Sequence, residues 1–121
     1  MAAGGSSVDR CIFCRIIAGL SPATILHRDE YVTAFRDIHP VAPTHVLVIP
    51  NKHIASVDEA GIEDEAVIGR LFTVAREIAR AERIDRAGYR LIMNNGPDGG
   101  QVVYHLHLHL IGGRRMRYPM G

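Results

Sequence analysis

One stretch near the C-terminus, Tyr104-His105-Leu106-His107-Leu108-His109-Leu110-Ile111, constrains this chain more than any other. Polar and apolar residues alternate in it without a break, the period-two pattern of a half-buried β-strand. Successive side chains of a strand point to opposite faces, so Leu106, Leu108 and Leu110 share one face and the three histidines the other. Alternate positions lie roughly 6.6 Å apart, so one small substrate group can span two neighbouring imidazoles. A strand built only for stability would carry Thr, Lys or Glu on its polar face. Three of the seven histidines on one ridge call for chemistry instead.

The rest of the chain supplies a frame for that ridge. Cys11 to Ile17 has helical character, with Gly19 placed to stop it and Pro22 just beyond. Ile25 to Arg28 and Tyr31 to Arg36 read as strands joined by a tight Asp29-Glu30 turn. Pro40 and Pro43 make 37–44 a structured loop, and the apolar run from His45 to Pro50 reads as a central strand. From about Ile62 to Arg83 the spacing changes to three and four: Val67, Ile68, Leu71, Phe72, Ala75, Ile78 and Ala79 form one stripe. Acidic Glu63, Asp64 and Glu65 open this main helix and Arg80 and Arg83 close it, as the helix dipole favours. Tyr89 to Met93 is a further strand, and the turn-rich loop Asn94 to Gln101 feeds the histidine strand. Five strands, a long helix and a short N-terminal helix imply an α+β fold with a mainly antiparallel sheet.

At 121 residues the chain fits one domain over 10–121, preceded by a flexible Gly/Ser-rich lead-in over 1–9. Fourteen Lys+Arg against thirteen Asp+Glu leave a net charge of +1, which gives no case for a nucleic-acid surface. The apolar runs are too short for a membrane span, and the first ten residues lack the apolar core of a secretory signal. Cytoplasm is the expected address, where two cysteines serve metal binding, redox chemistry or packing rather than a disulfide framework.

Glycines at Gly99-Gly100 let backbone amides approach a ligand, and successive amides at a turn form an anion nest; beside a ridge of imidazoles this reads as a phosphate site. These residues together resemble the histidine triad family, whose His-x-His-x-His-x-x motif, x apolar, matches His105 to Ile111. Ile12-Phe13, Ala34 to Ile38, Ala42 to His45, Val48 to Pro50, Gly99-Gly100-Gln101 and Gly112-Gly113-Arg114 with Pro119 and Gly121 resemble its Hint branch. The resemblance spans Cys11 to the last residue. It implies a homodimer, its sheet extended by the second copy, that cleaves the P–N bond of purine nucleoside 5′-phosphoramidates and also hydrolyses aminoacyl adenylates.

By position, His107 resembles the family's nucleophile, which splits one displacement at phosphorus into two through a covalent nucleotidyl-histidine. That role needs one ring nitrogen free and the other donating, for which a backbone carbonyl could serve. His109 looks like the residue that contacts the phosphate and helps the amine depart, with Gly100 and Gln101 holding the phosphate. Asp37 looks like the ribose acceptor, Phe13, Ile16, Phe35 and Ile38 like the base slot, and Asn94 like a further ribose or phosphate contact. Taken singly, each apolar member is explained as well by core packing. Two positions depart from the resemblance: Val102 stands where Ser is usual beside the leaving group, and His39 stands where Ser is common.

Cys11-x-x-Cys14 alone is ambiguous among a zinc half-site, a redox pair and two buried thiols. Some bacterial members of the family hold structural zinc at the positions of Cys11, Cys14, His53 and His105, and all four carry competent ligands here. Zinc would occupy His105 and leave His45 to help orient His107. No organic cofactor is implied. Two other readings stand beside the hydrolase: a module whose triad itself holds a metal, and a non-catalytic purine nucleotide sensor acting through a protein partner.

Overall fold

The computed structural model describes residues 10–117; the expected lead-in and the end of the tail, Pro119 and Gly121 included, lie outside the described residues. In chain order the elements are α1 (Ile12–Ile17), β1 (Ile25–Arg28), β2 (Val32–Arg36), β3 (Thr44–Pro50), 3-10 turns at Val57–Glu59 and Ile62–Asp64, α2 (Glu65–Ala81), β4 (Tyr89–Ile92) and β5 (Leu108–Gly112). All strand pairs are antiparallel, in the order β1-β2-β3-β5-β4. The α+β class and its five strands agree with the expectation.

The alternation of each strand divides the sheet between two helices. Val32, Ala34, Val46, Val48, Leu108 and Leu110 face α2, packing with Leu71, Val74, Ala75, Ile78 and Ala79. Phe35, Leu47 and Ile49 lie on the other side, with Cys11, Phe13, Cys14 and Ile16 of the α1 region. Covered on both faces, β3 is buried along its whole length, which is why it reads as a continuous apolar run. His109 pairs with Leu47 and therefore emerges on the α1 side.

Local chemistry sets the element ends. The Cys11 sulfur caps α1 by accepting from Cys14 N at 3.3 Å. Gly19, at φ 78°, ends it: Leu20 N bonds Arg15 O at 2.8 Å and Gly19 N bonds Ile16 O at 3.1 Å. Asp29 closes the β1–β2 turn by accepting from Tyr31 N and Val32 N, and ties it to α2 through Arg70 at 2.7 Å.

Three expectations are corrected. Main-helix geometry begins at Glu65 rather than Ile62, because Ile62–Asp64 winds as a tighter turn with Asp64 accepting from Gly61 N at 3.0 Å. Phe72, counted in the apolar stripe, is 45% exposed while Val74 is fully buried; at about 100° per residue Phe72 falls past the stripe's edge. Of the histidine stretch the sheet ladder takes in only the part from Leu108 onward, as β5 (Leu108–Gly112). Upstream, Leu106 N donates to Ile54 O at 2.7 Å, so the backbone leaves the sheet while its side chains keep alternating.

Candidate active site

The three histidines of the ridge turn to three different partners. His107 Nδ1 donates to the carbonyl of His105 at 2.7 Å. A neutral imidazole has one N–H and one lone pair, so the lone pair of His107 lies on Nε2. Burial pushes the His107 pKa below its ordinary value, against the carbonyl bond that raises it. The ring is therefore neutral, with a free nitrogen, at neutral pH. Phe13 packs edge-on against it at 5.1 Å between centroids and against Phe35 at 5.4 Å.

His105, fully buried, donates Nε2–H to Pro50 O at 2.8 Å. Its Nδ1 lone pair then faces Cys11 Sγ at 3.3 Å, Cys14 Sγ at 3.5 Å and His53 Nδ1 at 3.2 Å. Cys14 Sγ also lies 3.3 Å from His53 Nδ1. The four ligand atoms all fall within 4.8 Å of one another. Tetrahedral zinc with its usual bond lengths separates two nitrogens by about 3.4 Å and nitrogen from sulfur by about 3.6 Å. The separations among His105, His53, Cys14 and Cys11, 3.2, 3.3, 3.3 and 3.5 Å, lie close to that spacing, and the Pro50 carbonyl orients His105 as an outer partner orients a ligating histidine. Burial and the neighbouring Cys11 push the Cys14 thiol up to about 12, and burial takes His105 down to about 4. Neutral imidazole is the form that binds metal.

His45 meets His109 rather than His107, a correction to its expected role. The two sit diagonally across the β3–β5 ladder, and His45 Nε2 lies 3.0 Å from His109 Nδ1. Orientation of His107 falls to the His105 carbonyl instead. Asp37 Oδ2 lies 3.3 Å from His45 Nε2, while its Oδ1 accepts from the backbone of His39 at 2.8 Å. Burial, then the charges of His107 and His45, push His109 down to about 4. The triad's own nitrogens divide between two groups, His105 Nδ1 turning to Cys11, Cys14 and His53 and His109 Nδ1 to His45, which is not the arrangement of one metal cradled by all three.

The Asn94–Gln101 loop also differs from expectation. Gln101 is buried; its Nε2 donates to Ala55 O and Val103 O, and its Oε1 accepts from Gly96 N. The amides of Gly99, Gly100 and Gln101 donate to Gly96 O and Pro97 O within the loop. Asn94 Nδ2 donates to Gly99 O at 2.7 Å. Gly100 and Gln101, expected to grip a phosphate, and Asn94, expected on ribose or phosphate, spend these groups on building the turn. A Cβ on Gly99 would collide with the Asn95 carbonyl, and Gly100 sits at φ 84°, so both glycines serve the backbone. Phe13, Ile16 and Phe35 are buried together, but Ile38 is 81% exposed on the loop after β2 and stands apart from them. Val102, 85% exposed, lines an open hollow of about 510 Å³ with Ile12, His53 and Tyr104. Two groups that residue-type reasoning missed are the Val41 amide, which donates to His45 Nδ1 at 3.2 Å, and the Pro50 carbonyl. Both are main-chain atoms, which no residue type announces.

The HIT domain family model matches residues 18–116. The chain belongs to the HIT family. Among its HIT relatives, a purine nucleoside phosphoramidase of Escherichia coli K12 is 52% identical over 113 residues, covering 93% of this chain and 92% of that protein. A HIT family hydrolase from Legionella pneumophila superposes with a TM-score of 0.89 at 46% identity, covering 93% of this chain and 100% of that one. A Zn-bound histidine triad family protein from Mycobacterium smegmatis superposes with a TM-score of 0.76 at 30% identity, covering 88% and 76% respectively.

Proposed function

We propose that this HIT protein is a nucleotide hydrolase that cleaves the P–N bond of purine nucleoside 5′-phosphoramidates, and acyl or aminoacyl adenylates, through a nucleotidyl-histidine. The observation that carries the mechanism is the His107 Nδ1–His105 carbonyl bond, which leaves Nε2 with its lone pair. That nitrogen attacks phosphorus, and the P–N bond breaks as the amine nitrogen takes its electron pair and, through His109, a proton. Water then attacks phosphorus, gives a proton back through His109, and the bond to His107 breaks, returning the ring and releasing the nucleoside monophosphate. Splitting one displacement into two lets the same fixed groups stabilise both. His109 faces the phosphoryl group as a donor, Asp37 takes the ribose hydroxyls, and the base lies against the Phe13, Ile16 and Phe35 cluster. Val102 meets the departing group. The name of the 52% identical relative supports the substrate class.

The proposal includes structural Zn²⁺ on Cys11, Cys14, His53 and His105. When bound, it would draw the thiols to thiolates and tie α1 to the loop after β3. It also includes a homodimer, for which β4 at the sheet edge is the place a second copy would extend the ladder, and a reducing cytosolic setting that keeps both cysteines free. No helix of the described residues is long and apolar enough to cross a membrane.

The test mixes the protein with adenosine 5′-phosphoramidate and follows AMP, beside His107→Ala. Release by the wild type only, with AMP trapped on His107, is the expected result. Nucleotide binding without turnover by either protein would point to a sensor instead. Zinc content of Cys11→Ala and His53→Ala tests the metal; both should lose it.

A further inference from the structure

The group formed by Asp37, His45 and His109 brings a carboxylate and two imidazole nitrogens within 4.8 Å of one another, the makings of a second metal site. The Val41 amide argues against that use. By donating to His45 Nδ1 at 3.2 Å it takes the only lone pair of the neutral ring, so Nε2 carries hydrogen and has nothing to give a cation. Val41 is itself fixed, since its carbonyl accepts from Arg114 Nη2 at 2.6 Å. Burial holds His45 neutral, against the charge of Asp37.

That single Nε2–H faces two acceptors, His109 Nδ1 at 3.0 Å and Asp37 Oδ2 at 3.3 Å. We propose that His45 is a positioning residue whose one proton sets the tautomer of His109, and that Asp37 makes this setting depend on the bound sugar. When the hydrogen goes to His109 Nδ1, the proton of His109 must sit on Nε2, the nitrogen turned away from His45. When Asp37 draws it off, His109 is released to take either tautomer, and a carboxylate is the stronger acceptor. Asp37 Oδ1 already accepts from His39 N. Ribose hydroxyls donating to the remaining lone pairs satisfy the carboxylate and return the His45 hydrogen to His109. A correctly bound nucleoside therefore presents His109 Nε2–H to the phosphoryl group, and an incompletely recognised one does not. This inference rests on the hydrolase reading above and adds to it a route from sugar recognition to the reacting centre.

The experiment compares adenosine 5′-phosphoramidate with its 2′,3′-dideoxy analogue on wild type, His45→Gln and His45→Phe. For wild type, loss of the hydroxyls should lower kcat by about tenfold in addition to raising KM. Gln offers two N–H groups and can serve both acceptors at once, so its kcat on the ribose substrate should stay within about threefold of wild type while the sugar effect on kcat disappears. Phe offers none; kcat should fall by about 30-fold or more, again without sugar dependence. A hydroxyl effect confined to KM in wild type, or one on kcat that persists in both variants, overturns the proposal. Ring ¹H–¹⁵N spectra of the wild type give a readout that needs no variant. With AMP bound, His45 and His109 should carry hydrogen on Nε2 and His107 on Nδ1, whereas dideoxy-AMP should leave His109 mixed. Hydrogen on His45 Nδ1 ends the idea. Failure of wild type to turn over the ribose substrate would remove the hydrolase reading itself, whereas turnover without sugar-dependent kcat removes this inference alone.

Discussion

His107 stands between two flanks made from the same residue type and set to opposite chemistry. On one side, His105 gives its outer N–H to the Pro50 carbonyl, so its inner nitrogen offers a lone pair to Cys11, Cys14 and His53. On the other, His45 takes an N–H from Val41 on its outer nitrogen, so its inner nitrogen offers a proton to His109 and Asp37. A carbonyl behind a buried imidazole prepares it for a cation; an amide behind it prepares it to donate. Neither histidine's identity carries that difference. The polarity of one main-chain group does.

The comparison breaks most visibly at its centre. His107→Asn removes the proposed nucleophile between the two flanks, and AMP release should fall by about 10⁴-fold, with retained circular dichroism showing an intact fold. The flanks should then separate. On the donating side, His109→Gln should cost about 100-fold in kcat and move Tm by only a few degrees. On the side of the proposed metal, Cys14→Ala should abolish zinc binding and lower the Tm of the zinc-loaded protein by about 10 °C or more, while kcat measured below the transition falls less than about tenfold. Equal losses of rate and stability on both flanks would dissolve the distinction.

Much of this was legible in the residues because it depends on side-chain type and spacing. Val46 to Ile49 read as a central strand and proved covered on both faces, and Leu71, Ala75, Ile78 and Ala79 read as one side of a helix and pack as one. The Cys11, Cys14, His53 and His105 grouping came from the family resemblance, and the geometry brings those four together. What was not legible turned on backbone direction. Alternation persists at His105 and Leu106 although the chain has left the ladder, because extended backbone alternates with or without a strand beside it. Gln101 turns into its own loop because the inward carbonyls of Ala55 and Val103 need a donor, which a count of polar residues near a motif cannot reveal. His45 reaches His109 through a register that fixes Leu47, not His45, opposite that ring.

Acid sharpens the contrast by a smaller amount. His109 titrates near 4 in the folded protein, below its ordinary 6.5, chiefly through burial. Between those values the unfolded chain holds a proton that the folded one does not, so stability is full above about 6.5 and declines as pH falls toward 4. His109→Gln lacks this term, and its Tm should therefore decline less steeply than wild type over that window. The metal flank is the same in both proteins, so the difference between the two slopes isolates the donating flank. Because burial also lowers His107, AMP release should reach half its plateau at a pH below the ordinary imidazole value of 6.5 instead of at it.

The smallest effect belongs to Val102, which borders the metal flank in the hollow shared with His53 and Tyr104. At 85% exposure it packs against little, so Val102→Ser should leave Tm within about 2 °C of wild type. A hydroxyl there adds one donor for the departing group without touching the His45–His109 pair. Hydrolysis of phosphoramidates with polar amines should rise by less than about tenfold relative to those with apolar amines, and the ribose-to-dideoxy ratio of kcat should not move. If instead Val102→Ser changes that ratio, the leaving-group side and the sugar side are not separable, and the division of the site into a metal-supported flank and a proton-donating one fails at its edge.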